Sequence, residues 1–310
     1  MEIKKCERKE YRELLDMLNE AFGYQGDWFQ HNLPDCTPYE ELASDEQIAR
    51  HTIAIKDGEV IGCVGAYPRK VAVGDGFVVN AFGIGQVSCK KEERGRGVMS
   101  ALMNAAIDDE VKKGAILSYL WGSESRYRHF GYEPAGEVME IDGINILGLS
   151  KDVCMDGFSA HKPEPADIGH MASLYARFGA YALRTGERWQ FLINHENYEC
   201  LYTPSDGGAY LFANLNSKAI AELQGETSAA RKLLIYYARK NECAELSVRR
   251  PVIRGDKVLM MLKENAARHS INPCALAGVF GNSADAEKVR GILWGGENAG
   301  AFWVSVIDEV

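Results

Sequence analysis

Positive charge is in short supply in this chain. Lys and Arg number 35 against 44 Asp and Glu, a formal net charge of −9, with a pI near 5.4. A nucleic-acid backbone calls for a basic surface, so no nucleic-acid partner is expected. Paired cysteines are also missing. The eight cysteines (Cys6, Cys36, Cys63, Cys89, Cys154, Cys200, Cys243 and Cys274) are scattered, none at C-x-x-C spacing and none clustered with His at zinc spacing. No metal is expected, and the thiols read as reduced thiols of a cytoplasmic protein. No run approaches the roughly 18 apolar residues of a membrane span. The opening MEIKKCERKEYRELL has no apolar segment of signal-peptide type. A soluble protein without a membrane partner is therefore expected. Two phosphate motifs are absent as well. No G-x-x-x-x-G-K-[ST] run exists. Gly95-x-Gly97-x-x-Ser100 breaks the dinucleotide fingerprint at its third glycine, and it follows a meander rather than an opening parallel strand.

What is present is ordinary globular composition, 46% hydrophobic and 25% charged over 310 residues. That excludes a disordered chain and leaves room for about two domains. Tyr11, Leu14, Leu15, Leu18 and Phe22 fall at helical spacing across residues 8–22, with Gly23 as a stop. The aromatic-rich YQGDWFQHNLP after it fits a loop or a short helix. Lys56-Asp57-Gly58 and Gly74-Asp75-Gly76 punctuate β-rich runs, predicting an antiparallel meander over about 51–56, 59–70 and 77–89. Val98, Leu102, Met103, Ala106, Ile107 and Val111 form one helical face, closed by Lys112-Lys113-Gly114. AILSYLWGS reads as a buried strand, SRYRHFGYEPAG as a turn-rich or short helical link, and EVMEIDGINIL as a further strand.

Near residue 157 the pattern restarts. FSAHKPEPADIGHMASLYARFG repeats the order of IKKCERKEYRELLDMLNEAFG: short strand, polar turn, amphipathic helix, then Phe-Gly (Phe22-Gly23, Phe178-Gly179). Strands GAYLFANL and KAIAELQGE, helix SAARKLLIYYARKNE and strand AELSVRRP follow. Two domains of related architecture are predicted, 1–152 and 153–310. The second has no counterpart of the basic glycine turn.

That turn, Arg94-Gly95-Arg96-Gly97, stands where a helix begins. A helix N-terminus carries unpaired N–H groups and partial positive charge, glycines admit an anion to the backbone, and arginines add charge-assisted donors. Together they describe a pyrophosphate cradle. The alternative is a plain turn with two solvated arginines.

Meander, basic glycine turn, helix, strand and aromatic link together resemble the GNAT superfamily of N-acetyltransferases. Its signature [QR]-x-x-G-x-[GA] corresponds to Arg94-Gly95-Arg96-Gly97-Val98-Met99, where Met99 departs from the usual small residue. The chain resembles more specifically the Eis-type (enhanced intracellular survival) branch, through Ser123-Glu124 followed by Tyr127-x-x-Phe130-Gly131-Tyr132. The resemblance implies an α+β fold: tandem GNAT units, each a mostly antiparallel sheet flanked by helices, the second degenerate. Fuller-length members add a sterol-carrier-like third domain whose terminal carboxylate enters the active site. The chain stops at AFWVSVIDEV, too early for that domain, so the carboxylate role does not carry over.

The resemblance implies acetyl-CoA as cofactor. Arg94, Gly95, Arg96, Gly97, Val98 and Met99 would hold the diphosphate, and Val87, Ser88 and Cys89 would pair with the pantetheine arm where two strands splay. Tyr127 matches the Tyr that protonates the departing sulfur, a role that competes with plain packing. For the base, Glu124 acts directly or through water, or merely caps a turn; His31, His129 and a water chain are the other options. Tyr24, Asp27, Trp28, Phe29, His31 and Trp121 are candidates for the acceptor pocket, since aromatics with an acid suit a cationic amine. Docking the first helix on the sheet is their bland alternative. The expected activity is acetyl transfer, in a ternary complex, to a primary amine: a small polyamine- or aminoglycoside-like compound or a lysine. A catalytically inactive CoA-binding sensor or scaffold is the alternative. The branch tends to oligomerise, and no surface stripe in the sequence decides that.

Overall fold

In the computed structural model the structure describes residues 1–74, 76–177, 180–295 and 302–303. Asp75 of the second expected turn, Phe178 and Gly179 of the expected repeat, and residues 296–301 and 304–310 lie outside the described residues.

Strand β1 (Glu2–Lys5) leads into helix α1 (Arg8–Phe22) and the short helices α2 (Trp28–Asn32) and α3 (Asp45–Ile48). Strands β2 (His51–Lys56), β3 (Glu59–Val73) and β4 (Phe77–Cys89) form the expected meander. Helix α4 (Val98–Lys112), strand β5 (Leu117–Leu120), helix α5 (Glu124–Tyr127), strand β6 (Glu133–Asn145) and helix α6 (Ile146–Ser150) complete the first half. The second half begins with α7 (Ile168–Tyr175), β7 (Ala180–Ala182), α8 (Gly186–Ile193), β8 (Tyr198–Thr203) and β9 (Ala209–Asn214). It continues with β10 (Ile220–Gly225), α9 (Thr227–Lys240), β11 (Glu245–Pro251), α10 (Lys257–Glu264), β12 (Arg268–Val279), α11 (Ala284–Trp294) and β13 (Phe302–Trp303).

Period-two alternation decides which helix covers which face of the sheet. Ile53 and Cys63 pack with Tyr11, Leu14, Leu15 and Leu18 of α1. Their neighbours Ala54 and Val64 pack with Val98, Leu102, Met103 and Ala106 of α4. The two helices therefore lie on opposite faces. Each fully buried Leu on these stripes contributes about 1.5–3 kcal/mol. Helix α1 is fixed at its start by a reciprocal capping box between Glu7 and Glu10 and at its end by Gly23 in the left-handed conformation.

The described strands join in one sheet, in the order β1-β2-β3-β4-β5-β12-β6-β11-β10-β9-β8, with β7 pairing β3 and β13. Pairing is antiparallel except at β4–β5, β10–β11 and β7–β13. This is the mixed α/β, largely antiparallel architecture expected from the sequence. The order carries one surprise. Strand β12 of the second half lies between β5 and β6, and β6 of the first half lies between β12 and β11. The halves exchange strands, so the sheet crosses the expected 152/153 boundary without a break. The expected short strand at the start of the second repeat reduces to a single bridge, His161 with Tyr202.

Candidate active site

The parallel ladder between β4 and β5 has three rungs: Ala81–Leu117, Phe82–Ser118 and Gly83–Tyr119. Strand β5 ends at Leu120, whereas β4 runs on to Cys89. From Ile84 onward β4 is hydrogen-bonded only on its β3 side, and its other edge is open. Within this stretch Gln86 adopts φ 46, and the β3–β4 register shifts between Cys63 and Gly65. That is a β-bulge, which turns the open edge and re-aims the side chains around it. Val87, Ser88 and Cys89 all lie on the open stretch, half-buried.

The bulge is braced from inside by a chain of buried polar groups that sequence reasoning missed. His51 Nδ1 lies 3.1 Å from the Ile48 carbonyl oxygen, and its Nε2 lies 3.0 Å from the Tyr67 hydroxyl. That hydroxyl also meets the Gln86 side-chain amide. Burial pushes His51 down to about 4, so the ring is neutral. No local sequence signal marks these three residues, since each of the three strands carries other polar residues as well.

Beyond Cys89 a 3-10 turn (Lys91–Glu93) leads to the Arg-Gly-Arg-Gly run. Gly95 (φ 76) and Gly97 (φ 80) are left-handed, and a Cβ on either would meet nothing within 4 Å. Their glycine requirement is thus conformational, and the space beside the backbone is clear. Gly97 is the N-cap of α4, so no side chain caps the first turn, and no acid sits in it. The leading N–H groups of Val98, Met99 and Ser100 are left for an anion. Arg94 is exposed and makes no side-chain hydrogen bond or ion pair among the described residues. Arg96 reaches Glu93 at 3.4 Å, and Glu93 is engaged by Lys56 at 2.7 Å. The Lys56 bond holds the Glu93 carboxyl below its usual range, so this acid stays paired instead of opposing a bound phosphate.

On the other side of the opening, Tyr127 is 5% exposed. Its ring packs against Tyr132 at 6.3 Å. Burial raises its pKa, and the neighbouring Arg126 only partly opposes this, so the phenol keeps its proton. Glu124 is ion-paired with Arg128 one turn on, with Arg128 Nε 3.1 Å from its Oε1. His129 is exposed and lies against Phe130 at 3.9 Å.

The α1–α2 segment gathers the expected aromatic residues. Tyr24 stacks on Trp28 at 3.7 Å, and Phe29 meets both rings edge-on at 5.6 and 5.2 Å. Phe29 is buried in the α1 core, while Tyr24 and Asp27 are exposed. Trp28 lines a cavity of about 230 Å³ shared with Arg188, His195 and Tyr198 of the second half. His31 stands apart from the stack and contacts Glu196 in a neighbouring cleft. Trp121 is held from the opposite direction: its Nε1 donates to the Cys274 carbonyl of β12 at 2.9 Å. Among the described residues no group of three His, Cys, Asp or Glu side chains is placed to hold a metal ion.

The opened parallel pair therefore lies beside an uncapped helix N-terminus. Residues 2–135 match the acetyltransferase (GNAT) domain family. The chain is 30% identical over 213 residues to an uncharacterised N-acetyltransferase of Streptomyces coelicolor, covering 64% of this chain and 49% of the relative. It thus spans about half the length of that relative. Among solved structures, a GCN5-related N-acetyltransferase from Kribbella flavida shares the fold with a TM-score of 0.70 at 16% identity, over 90% of this chain and 71% of that one. Eis1 from Mycobacterium abscessus shares it with a TM-score of 0.61 at 16% identity, over 90% and 74% of the two chains.

Proposed function

We propose that this protein transfers an acetyl group from acetyl-CoA to a primary amine by direct attack in a ternary complex. The amine is a small polyamine- or aminoglycoside-like compound or a lysine side chain. The observation that carries this reading is the opening of the β4–β5 ladder after Gly83, on the chain that leads into the Gly97-capped start of α4. The residues present fit the cofactor: clear space beside Gly95 and Gly97, free first-turn amides, and an unpaired strand edge of arm length. Bound acetyl-CoA supplies the activated thioester.

In this reading Arg94, Gly95, Arg96, Gly97, Val98 and Met99 hold the diphosphate, and Val87, Ser88 and Cys89 lie along the pantetheine arm. A main-chain N–H of the open β4 edge polarises the carbonyl. Tyr127, which keeps its hydroxyl proton, would donate that proton to the sulfur of the leaving thiolate. Glu124 takes the amine proton directly or through water, with Arg128 fixing its carboxylate. The Tyr24–Trp28–Phe29 stack with Asp27, together with His31 and Trp121, binds a cationic acceptor through ring faces and charge. The Ser123-Glu124 and Tyr127 motifs and the fold shared with Eis1 support the Eis-type branch. The β10–α9–β11 unit, a parallel pair around a helix like β4–α4–β5, supports two related units, 1–152 and 153–310.

A thiol-release assay with acetyl-CoA and a panel of polyamines, aminoglycosides and lysine peptides tests this. Release that depends on one amine class is the expected result. Tight CoA binding with no release for any amine would leave the binding-only alternative standing.

A further inference from the structure

One sizeable cavity lies away from the CoA cradle. Its volume is about 960 Å³, and it is lined by Glu110 and Lys113 near the end of α4. That is roughly 20 Å along the helix from Gly97. Gln47 of α3, Arg50 just before β2, the middle of β3, Asn80 and Ala81 of β4, and the segment 182–188 of the second half enclose it.

Its charge runs against that of the chain. Arg50, Arg69, Lys70, Lys113, Arg184 and Arg188 line it, against three acids, Asp35, Glu110 and Glu187. Six bases over three acids, with Arg184 answered by Glu222 behind the wall, leave an excess of two positive charges in a protein of net charge −9. Part of this is internally matched. Lys113 pairs with Glu110 at 2.8 Å, and Arg188 pairs with Asp35. Arg184 pairs with Glu222 at 2.7 Å behind the wall, with both side chains fully buried.

Arg50 and Lys70 have no acidic partner among the described residues, and Arg50 Nε is a buried donor without an acceptor. The end of the Arg50 guanidinium reaches only the Asp35 main-chain carbonyl, at 3.5 Å, so no acid matches its charge. Arg69 converges on the same place: its charge and that of Arg50 both oppose the burial that pushes the Cys36 thiol up to about 11. Guanidinium forks favour carboxylate and phosphate oxygens, and a walled cleft focuses their field.

We propose that this cleft binds a small multivalent oxyanion, phosphate or polycarboxylate, with Arg50, Arg69 and Lys70 as its charged ligands and Gln47 and Asn80 as neutral ones. The occupant bridges the α3 region, the sheet and the second half, so its binding stabilises the junction of the two halves by mass action. The site is separate from the CoA cradle and does not depend on the proposed acetyl transfer.

The test is calorimetry and thermal unfolding of the full chain with citrate and with inorganic phosphate, at ionic strength held constant with NaCl. Saturable binding of at least one is expected, with a rise in Tm; citrate alone marks a carboxylate site and phosphate alone a phosphate site. Arg50→Gln with Lys70→Gln weakens binding at least about tenfold, taken as a loss of one charge-assisted bond. Arg94→Ala with Arg96→Ala leaves it unchanged. Lys70→Glu, at an exposed position that folding tolerates, weakens it alone. The proposal is overturned if neither oxyanion binds saturably, if Lys70→Glu has no effect, or if binding is lost only in the Arg94/Arg96 variant.

Discussion

The Arg250 guanidinium donates to the main-chain carbonyl of Leu223 across the gap between β10 and β11. Those strands share a single parallel rung, Ile220–Val248. Beyond it, Arg250 fills the space, with its Nε 2.6 Å from Asp256 Oδ2. In the second half this guanidinium plugs the opening. One CoA per chain is therefore expected by calorimetry, and a stoichiometry of two would refute the plug. Arg250→Ala leaves the buried Asp256 carboxylate without its counter-ion, held only by the Val258 and Leu259 amides, and a loss of about 3 kcal/mol is expected by urea unfolding, with CoA affinity unchanged.

Tyr127→Phe removes the phenolic proton and keeps the ring packing against Tyr132. Turnover should fall about 100-fold, while CoA affinity measured by calorimetry stays within error. Because burial raises the Tyr127 pKa, the alkaline limb of the wild-type rate profile should lie above the ordinary tyrosine range. Near-wild-type turnover in the Phe variant would remove Tyr127 from the mechanism.

Arg94→Ala with Arg96→Ala strips two exposed cations from the cradle and touches no core residue. Charge-assisted bonds contribute about 1.5–3 kcal/mol each, so CoA should bind at least about tenfold more weakly. Its affinity should also depend less on salt. The acceptor KM is expected to be unaffected. Wild-type CoA affinity in this variant would sink the cradle.

His51 gives the fold a pH dependence. Its pKa falls from an ordinary 6.5 to about 4 on burial, so between these values the unfolded chain binds the extra proton. Stability is then full above about pH 6.5 and declines as pH falls toward 4, by about 1.4 kcal/mol per pH unit. Urea unfolding at pH 7 and pH 5 should differ by about 2 kcal/mol from this group alone. The His51→Gln variant should lose that share of the slope; an unchanged slope would show that the ring is not held neutral.

Local signals carried much of the first half. The stripe of Tyr11, Leu14, Leu15 and Leu18 with a following glycine placed α1, and the Asp57-Gly58 turn placed the β2–β3 hairpin, because these depend on neighbours within a few residues. The cradle was legible for the same reason, being one contiguous run. Strand β12 was not. Its first half, Arg268–Asn272, is exposed and polar, and its partners Glu133–Asp142 lie more than a hundred residues earlier. The His51–Tyr67–Gln86 chain was hidden likewise, since only the sheet register brings those three strands together. The Tyr24–Trp28–Phe29 cluster was foreseen as a group, but the turn of His31 toward Glu196 depends on how the second half docks.

Strand exchange between the halves governs how this chain must be made. As synthesis passes β6, that strand has neither sheet neighbour, since β11 and β12 are still to be translated, and β5 likewise waits for β12. Contacts of such sequence separation are slow to form and leave sticky edges exposed meanwhile. A fragment cut at residue 152 would carry those bare edges permanently, so the first half is expected to be insoluble on its own and to recover when the missing half is supplied in trans.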